Sequence, residues 1–364
     1  MKKICFIITG LGVGGAERQV CDLADNFSVL GCKIMIISLT DILDVKPRTT
    51  SIEVVSLGLK KNLTNILPSL LKARKLLTVF KPDIVHSHMY HANIFSRLLR
   101  LIKGMPVLVC TAHNTVEGGM LRMFMYRVTD RLATINTNVS QDAVDSFIQK
   151  GAVSSNRMIF MPNGIDVSRF DFVESYRIER RKEINVSNDE LLLLSVGRLT
   201  AAKDYNNLLH AFSIFLKDNN AKLAIIGTGE LAIDLKALAI ELGINSNIIW
   251  LNRRDDVNQW MSAMDVYVMS SAWEGMPLVL CEAMASKGCI VTTDCGGTKD
   301  LVEHVGFVVE KQNARHLSLG LEKACKLTHG ERVVIGERAR ERVRLKYSID
   351  AICKKWLTLY SSLS

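Results

Sequence analysis

The stretch ICFIITGLGVGGAERQV, residues 4–20, decides how this chain is read. An apolar run, Ile4–Ile8, leads directly into Gly10, Gly12 and Gly15 at G-x-G-x-x-G spacing. A strand, a glycine turn and then a helix is how a parallel α/β domain holds a phosphate. Three readings are open at this point. The glycines can simply permit a tight strand-to-helix turn, they can bind a nicotinamide dinucleotide, or the Gly14-Gly15 backbone and the following helix can hold some other phosphate. A dinucleotide site expects an acidic residue about 20 positions beyond the motif. That position is Met35, inside an apolar run, and Asp41 falls late. A similar turn, Gly227-Thr228-Gly229 followed by Ala232, also lacks a convincing acidic partner.

Working outward, the same alternation recurs along the 364 residues. The first half carries apolar runs at 4–9, 33–39, 82–87, 106–112 and 132–137, and the second at 191–197, 222–227, 247–251, 266–271 and 289–294. Near-continuous apolar strands separated by helical stretches predict parallel sheets covered on both faces. The expectation is an α/β chain of two Rossmann-like domains with about five strands each. Their join falls near MPNGIDVSRF, 161–170, giving domains 1–165 and 166–348. An apolar-periodic helix, Ile349–Leu363, follows the last strand and is expected to return to the first domain. In such domains ligands bind at the carboxyl ends of the strands.

Composition is that of an ordinary globular protein, 48% hydrophobic and 23% charged. The charge is uneven: residues 1–165 carry a net +9 and the remainder is neutral. That excess points to an anionic partner for the first half, whether a membrane surface, a phosphorylated lipid or nucleic acid. MKKICFIITGLGVGGA has some features of a secretory signal, but Thr9, Gly10 and Gly12 interrupt its apolar run, and a buried first strand accounts for it equally well. No apolar run reaches the roughly 18–20 residues that span a bilayer. Nine cysteines without a C-x-x-C pair, several of them in apolar strands, read as reduced core residues of a cytosolic protein.

Three features of the second half suggest chemistry. Arg198 and Lys203 leave the tip of the strand at 191–197. Such a pair suits a diphosphate, Arg as a fork and Lys as a point charge, although a solvated loop has the same composition. Glu274 precedes a Gly-Met-Pro turn, and Glu282 lies eight residues later. With Pro277 in the first turn of a helix, the backbone N–H groups around Leu278 would face an anion, and the carboxylates would accept from sugar hydroxyls. No D-x-D motif is present to hold Mg²⁺ or Mn²⁺. In the first half, His86, His88 and His91 have no clear fourth ligand for zinc nearby.

Glu274, seven residues and Glu282 within EGMPLVLCEAMA, followed by Gly296-Gly297, resemble the signature of the retaining GT-B glycosyltransferases of family 4. The likeness extends to GGAE at 14–17, TAHN at 111–114, PNGID at 162–166, VGRL with Lys203, and RDDV at 254–257. It implies a GT-B architecture, with two Rossmann-like domains facing across a cleft, and a glycine turn at Gly14-Gly15 that faces the donor diphosphate. By the same resemblance Arg198 and Lys203 hold the diphosphate and Glu282 the ribose. Glu274 and the backbone of Gly275, Met276, Pro277 and Leu278 grip the hexose, His113 reaches the transferring sugar, and the base rests near Arg253. Asn252 stands where a glycine is common in the family, and Cys289 where proline is frequent.

The resemblance further implies transfer with retention, no cofactor and no metal. The expected donor is a UDP-sugar, with UDP-N-acetylhexosamine favoured, and the acceptor a polyprenyl-diphosphate-linked glycan of bacterial O-antigen or surface polysaccharide, rather than nucleic acid. Residues 92–103 add a membrane expectation: Ile94, Phe95, Leu98, Leu101 and Ile102 share one helical face, and Arg97, Arg100 and Lys103 the other. Residues 118–131 are also apolar and basic. The expected location is the inner face of the cytoplasmic membrane. A GT-B sugar-nucleotide epimerase and a nicotinamide-dependent oxidoreductase are the alternatives.

Overall fold

The computed structural model describes residues 1–59, 65–115 and 118–363. Two compact units partition the chain: unit 1 comprises Met1–Ile165 with Ile349–Ser364, and unit 2 comprises Asp166–Ser348. Divided this way, unit 1 carries a net +10 and unit 2 a net −1.

Unit 1 is built on a seven-stranded sheet: β1 (Lys3–Ile8), β2 (Lys33–Ser38), β3 (Glu53–Ser56), β4 (Ile84–His88), β5 (Val107–Ala112), β6 (Ile135–Asn138) and β7 (Met158–Phe160). The order is β3-β2-β1-β4-β5-β6-β7, all parallel, with Cys5 opposite both Met35 and Val85. Helices α1 (Gly15–Val29), α2 (Ile66–Phe80), α3 (Tyr90–Ile102), α4 (Met120–Thr129) and α5 (Gln141–Gln149) form the crossovers. The expectation of about five strands is corrected to seven. The two extra strands lie at the sheet edges and have only four and three residues, so neither forms an apolar run long enough to read.

Unit 2 has six parallel strands: β8 (Leu191–Val196), β9 (Ala221–Ile226), β10 (Ile248–Asn252), β11 (Val266–Met269), β12 (Cys289–Thr293) and β13 (Phe307–Val309), in the order β10-β9-β8-β11-β12-β13. Again the unpredicted strand, β13, is a three-residue edge. Its helices are α6 (Glu174–Glu183), α7 (Tyr205–Phe215), α8 (Ala232–Glu241), α9 (Val257–Ala263), α10 (Leu278–Ala285), α11 (Thr298–Val302), α12 (Ala314–Lys326) and α13 (His329–Lys346).

The last helix, α14 (Ile349–Leu363), belongs to unit 1. Ile349, Ile352, Cys353, Trp356 and Tyr360 are buried there in one cluster with Phe6 and Phe27. A Cβ on Gly164 would come 3.0 Å from the Ile349 Cα, so only glycine lets the two backbones approach this closely.

Helix α3 departs from the expected division into an apolar face and a basic one. Arg97 is fully buried, donating to the Tyr126 carbonyl (3.1 Å), Thr129 Oγ1 (2.8 Å) and Asn136 Oδ1 (2.6 Å). Arg100 donates to the Leu132 carbonyl at 2.9 Å. These cations satisfy carbonyls and side chains of neighbouring elements, while Phe95 and Leu99 pack into the core. Helical periodicity alone cannot distinguish such an internal arginine from a solvated one.

Candidate active site

In unit 2 the candidate residues collect beyond the carboxyl ends of β8 to β12. Lys203 follows β8, and its Nζ donates to Glu274 Oε1 at 2.5 Å. The Ser271 hydroxyl donates to the same oxygen at 2.8 Å, so Glu274 is anchored twice from beside β11. Glycines set the spacing. A Cβ on Gly227 would fall within bonding distance of the Gly197 carbonyl oxygen, and Gly296 (φ +53°) presses against the Glu274 backbone. A Cβ on Gly197 would meet Lys203 Cε at 3.0 Å, so this glycine leaves room for the lysine stem.

The remaining predicted residues of unit 2 lie on the segments that follow β8, β10 and β11. Arg198 is exposed at the β8 tip. Arg253 is exposed beyond β10, with Nε 3.9 Å from Asp255 Oδ1. Asn252 occupies the left-handed region at φ +53°, a conformation that asparagine tolerates better than most residues; this explains how it stands in a glycine position. Pro277 is the residue before α10 rather than its first turn, and the helix opens at Leu278. The first N–H groups of a helix have no intrahelical acceptor and attract anions, so the 275–278 turn and the α10 N-terminus offer a positive dipole end beside Lys203 and Glu274. Glu282 lies one turn into α10, partly exposed. The group can bind a polyanion through Arg198, Lys203 and the helix end while Glu274 and Glu282 accept from hydroxyls.

In unit 1, Gly14 immediately precedes α1, and the carboxylate of Glu17 folds back over it: a Cβ at 14 would overlap Glu17 Oε2. The G-G-x-E pattern therefore has a local cause, since an acidic side chain in the first turn complements the helix dipole and needs glycine beneath it. Gly15 is the first residue of α1.

His113 follows β5, and its Nε2 lies 3.0 Å from Nδ1 of His88, the last residue of β4. His88 in turn packs against His86, with ring centroids 4.0 Å apart and the ring planes tilted by 37°. Both nitrogens of His86 are engaged, Nδ1 with the Tyr360 hydroxyl and Nε2 with Thr111 Oγ1, each at 2.6 Å. Burial pushes the His113 pKa down to about 4 and lowers His86 and His88 well below the ordinary histidine value, so all three are neutral at pH 7. His91 lies exposed on α3, and the described residues contain no group of three or more His, Cys, Asp or Glu arranged to hold a metal. Met89, next to His88, has φ +75° and ψ +157°, a region almost confined to glycine.

The sequence does not announce the contact of His88 with His113, since the spacing of His88 with His86 and His91 suggests only a zinc ligand. Its position at the end of a buried strand, two residues after His86, was the available signal. Ser271 had no signal beyond its proximity to Glu274.

Residues 13–169 match the profile described as Glycosyltransferase Family 4, and residues 177–342 match Glycosyl transferases group 1. The chain is a glycosyltransferase built of a Family 4 domain and a group 1 domain. Among the relatives of this glycosyltransferase is the UDP-Gal:alpha-D-GlcNAc-diphosphoundecaprenol alpha-1,3-galactosyltransferase of Escherichia coli, 26% identical over 75% of this chain and 73% of that protein. Another is the N-acetylgalactosamine-N,N'-diacetylbacillosaminyl-diphospho-undecaprenol 4-alpha-N-acetylgalactosaminyltransferase of Campylobacter jejuni, 24% identical over 97% of this chain and 99% of that one. The glycosyltransferase also shares its fold with Anabaena HepE, solved in complex with UDP (TM-score 0.86, 19% identity, all of both chains). Its GT-B class is thereby shown. Among the described residues no helix is long and apolar enough to cross a membrane.

Proposed function

We propose that this glycosyltransferase moves an N-acetylhexosamine from a UDP-sugar to a polyprenyl-diphosphate-linked glycan, with retention and without a metal ion. The observation that carries the reading is the Lys203–Glu274–Ser271 cluster beside the α10 N-terminus, a cation, a carboxylate and a helix dipole at one set of strand tips. The two undecaprenol-diphosphate relatives support the acceptor class, and the Campylobacter relative supports the hexosamine.

In this reading Arg198 and Lys203 meet the charge that grows on the departing diphosphate, work for which preorganised cations suit a dry site. Glu282 holds the ribose, Arg253 lies by the base, and Glu274 with the backbone of Gly275 to Leu278 aligns the hexose. His113 contacts the transferring sugar, and the Gly14-Gly15 turn serves the diphosphate. The anomeric C–O bond to the diphosphate breaks as the acceptor oxygen bonds to the same face, and a departing phosphate oxygen takes the acceptor's proton. Incubation with a panel of UDP-sugars, with and without lipid-linked acceptor and in excess EDTA, tests this by mass spectrometry and anomeric NMR. Acceptor-dependent transfer of N-acetylhexosamine with the α configuration kept, undiminished by EDTA, is the expected result. Epimerised free nucleotide sugar, inverted product or strict dependence on Mn²⁺ would overturn it.

We further infer reversible docking of unit 1 on anionic bilayers through α4. Met120, Leu121, Phe124 and Val128 are exposed by 90, 74, 58 and 54%, and Arg127 and Arg131 stand exposed beside them. An apolar stripe flanked by cations on a unit of net +10 matches an acidic lipid surface. Co-sedimentation with anionic but not neutral vesicles, lost in Leu121→Asp/Phe124→Asp, is expected. Equal sedimentation of the variant and the parent chain would refute the assignment.

A further inference from the structure

We propose that Thr293 is a positioning residue for Glu274: its buried hydroxyl fixes the turn that carries Glu274 and so aims that carboxylate at the hexose of the donor. The use made of Glu274 rests on the transferase reading; the bond that holds its turn stands on the geometry alone.

Strand β12 reads Cys289-Ile290-Val291-Thr292-Thr293, three apolar residues and then two threonines, all of them buried. A hydroxyl in such a place costs free energy unless it is bonded, and valine has the same outline without it. Thr293 Oγ1 donates to the Ser271 carbonyl at 2.7 Å, crossing from β12 to the segment that follows β11. Among the described residues no other donor reaches that carbonyl. Ser271 in turn gives its own hydroxyl to Glu274 Oε1 at 2.8 Å, so the backbone and side chain of one residue link Thr293 to the carboxylate.

The same segment also carries Lys203. The Ala272 N–H donates to the Ala202 carbonyl and the Ser270 hydroxyl to the Lys203 carbonyl, each at 2.9 Å. Lys203 and Glu274, whose side chains meet at 2.5 Å, therefore hang from one stretch, residues 270–274. On the other side Thr298 Oγ1 donates to the Thr293 carbonyl at 2.7 Å and accepts from the Cys295 N–H at 3.0 Å, closing the loop at 294–297. In that loop Gly296 lies against the Glu274 backbone, where a Cβ would overlap the carbonyl oxygen. Thr293 is the crossing point of the two ties: its carbonyl holds the loop under the Glu274 backbone, and its hydroxyl holds the turn that sets the Glu274 side chain. Without the hydroxyl, Lys203 still rests on Ser270 and the Glu274 backbone on Gly296, but Ser271 can shift and take the carboxylate with it. A displacement of about 1 Å at an aligning group can cost up to 10²-fold in rate.

Thr293→Val and Thr293→Ser separate the hydroxyl from the packing, Val keeping the shape and Ser the bond. Turnover is measured well below both melting temperatures, with the UDP-sugar and acceptor identified by the screen. Thr293→Val should lower kcat about tenfold, the factor that one hydrogen bond of ordinary strength represents, and free UDP, which lacks the hexose, should bind no more weakly. Thr293→Ser should regain most of that turnover even where its Tm is the lower of the two. Turnover that follows Tm rather than the hydroxyl, or weakened UDP binding in Thr293→Val, overturns the proposal. Thermal melts of the full chain without ligand give a second readout. Glu274→Gln should lower Tm less in the Thr293→Val chain than in the parent chain, because the contact it removes is already loosened. Equal losses overturn the proposal without touching the transferase reading. A Glu274→Gln chain that keeps full turnover sinks the assignment of Glu274 to the hexose, and the role of Thr293 in turnover falls with it.

Discussion

Replacing Glu274 with Gln should tighten binding of free UDP while lowering turnover, because Glu274 and the diphosphate compete for the same cation. Lys203 Nζ and Glu274 Oε1 are 2.5 Å apart, and the two side chains are only 19 and 16% exposed. Unit charges about 4 Å apart attract by about 4 kcal/mol at an effective dielectric of 20, and desolvation offsets part of that. A coupling of roughly 2 kcal/mol remains as the working figure for a pair so largely covered. Each single variant, Lys203→Met or Glu274→Gln, should then lower Tm by about 4–8 °C in a unit of this size, and the double variant should recover part of the loss. Calorimetry with UDP should show Glu274→Gln binding about tenfold tighter, equivalent to about 1.4 kcal/mol, and Lys203→Met binding more weakly. Turnover of the UDP-sugar should fall in both. Additive Tm changes, or a Glu274→Gln chain that binds UDP as weakly as Lys203→Met, would refute the competition.

Three further outcomes follow from the geometry. Gly296→Ala combines a left-handed backbone with a Cβ that would overlap the Glu274 carbonyl, so a loss of about 1–3 kcal/mol is expected, with kcat falling further as Glu274 shifts; thermal melts and turnover measured together check it. Tyr360→Phe removes the 2.6 Å bond to His86 Nδ1 inside the core and should destabilise the chain by about 1–3 kcal/mol in urea titrations. The His113 pKa is lowered in the folded chain to about 4, so the unfolded state takes up a proton first as the pH falls. Stability from this group is complete above about pH 6.5 and is lost on the way down to pH 4, by about 3 kcal/mol, relative to His113→Asn in pH-dependent unfolding.

The central strands were legible in the sequence because a strand buried on both faces is nearly continuous in apolar residues, as ICFII and LLLLSV are. Edge strands such as EVVS and MIF have no such run and were missed. Helix α14 was placed to the residue by its periodicity and by the breaks around it. Of the site, the types and spacing of Arg198, Lys203, Glu274 and Glu282 were visible, but the direct Lys203–Glu274 bond was not. It joins positions 71 residues apart and depends on how two strand tips lie side by side. Arg97 is not legible for the same reason: its acceptors, Tyr126 and Thr129 on α4 and Asn136 on β6, come from sequence-distant elements that periodicity along α3 cannot register.

The excursion of the chain through unit 2 has a consequence for synthesis on the ribosome. Unit 2 is continuous, whereas the core of unit 1 waits for Trp356 and Tyr360, which emerge after every residue of unit 2. At about 5–20 residues per second, the interval between residue 165 and α14 is roughly 10–40 s. For that time the first unit exposes the apolar face around Phe6 and Phe27 that α14 later covers. The second unit to be translated is therefore the first able to finish folding, and the nascent first unit is the part that a holding chaperone would find.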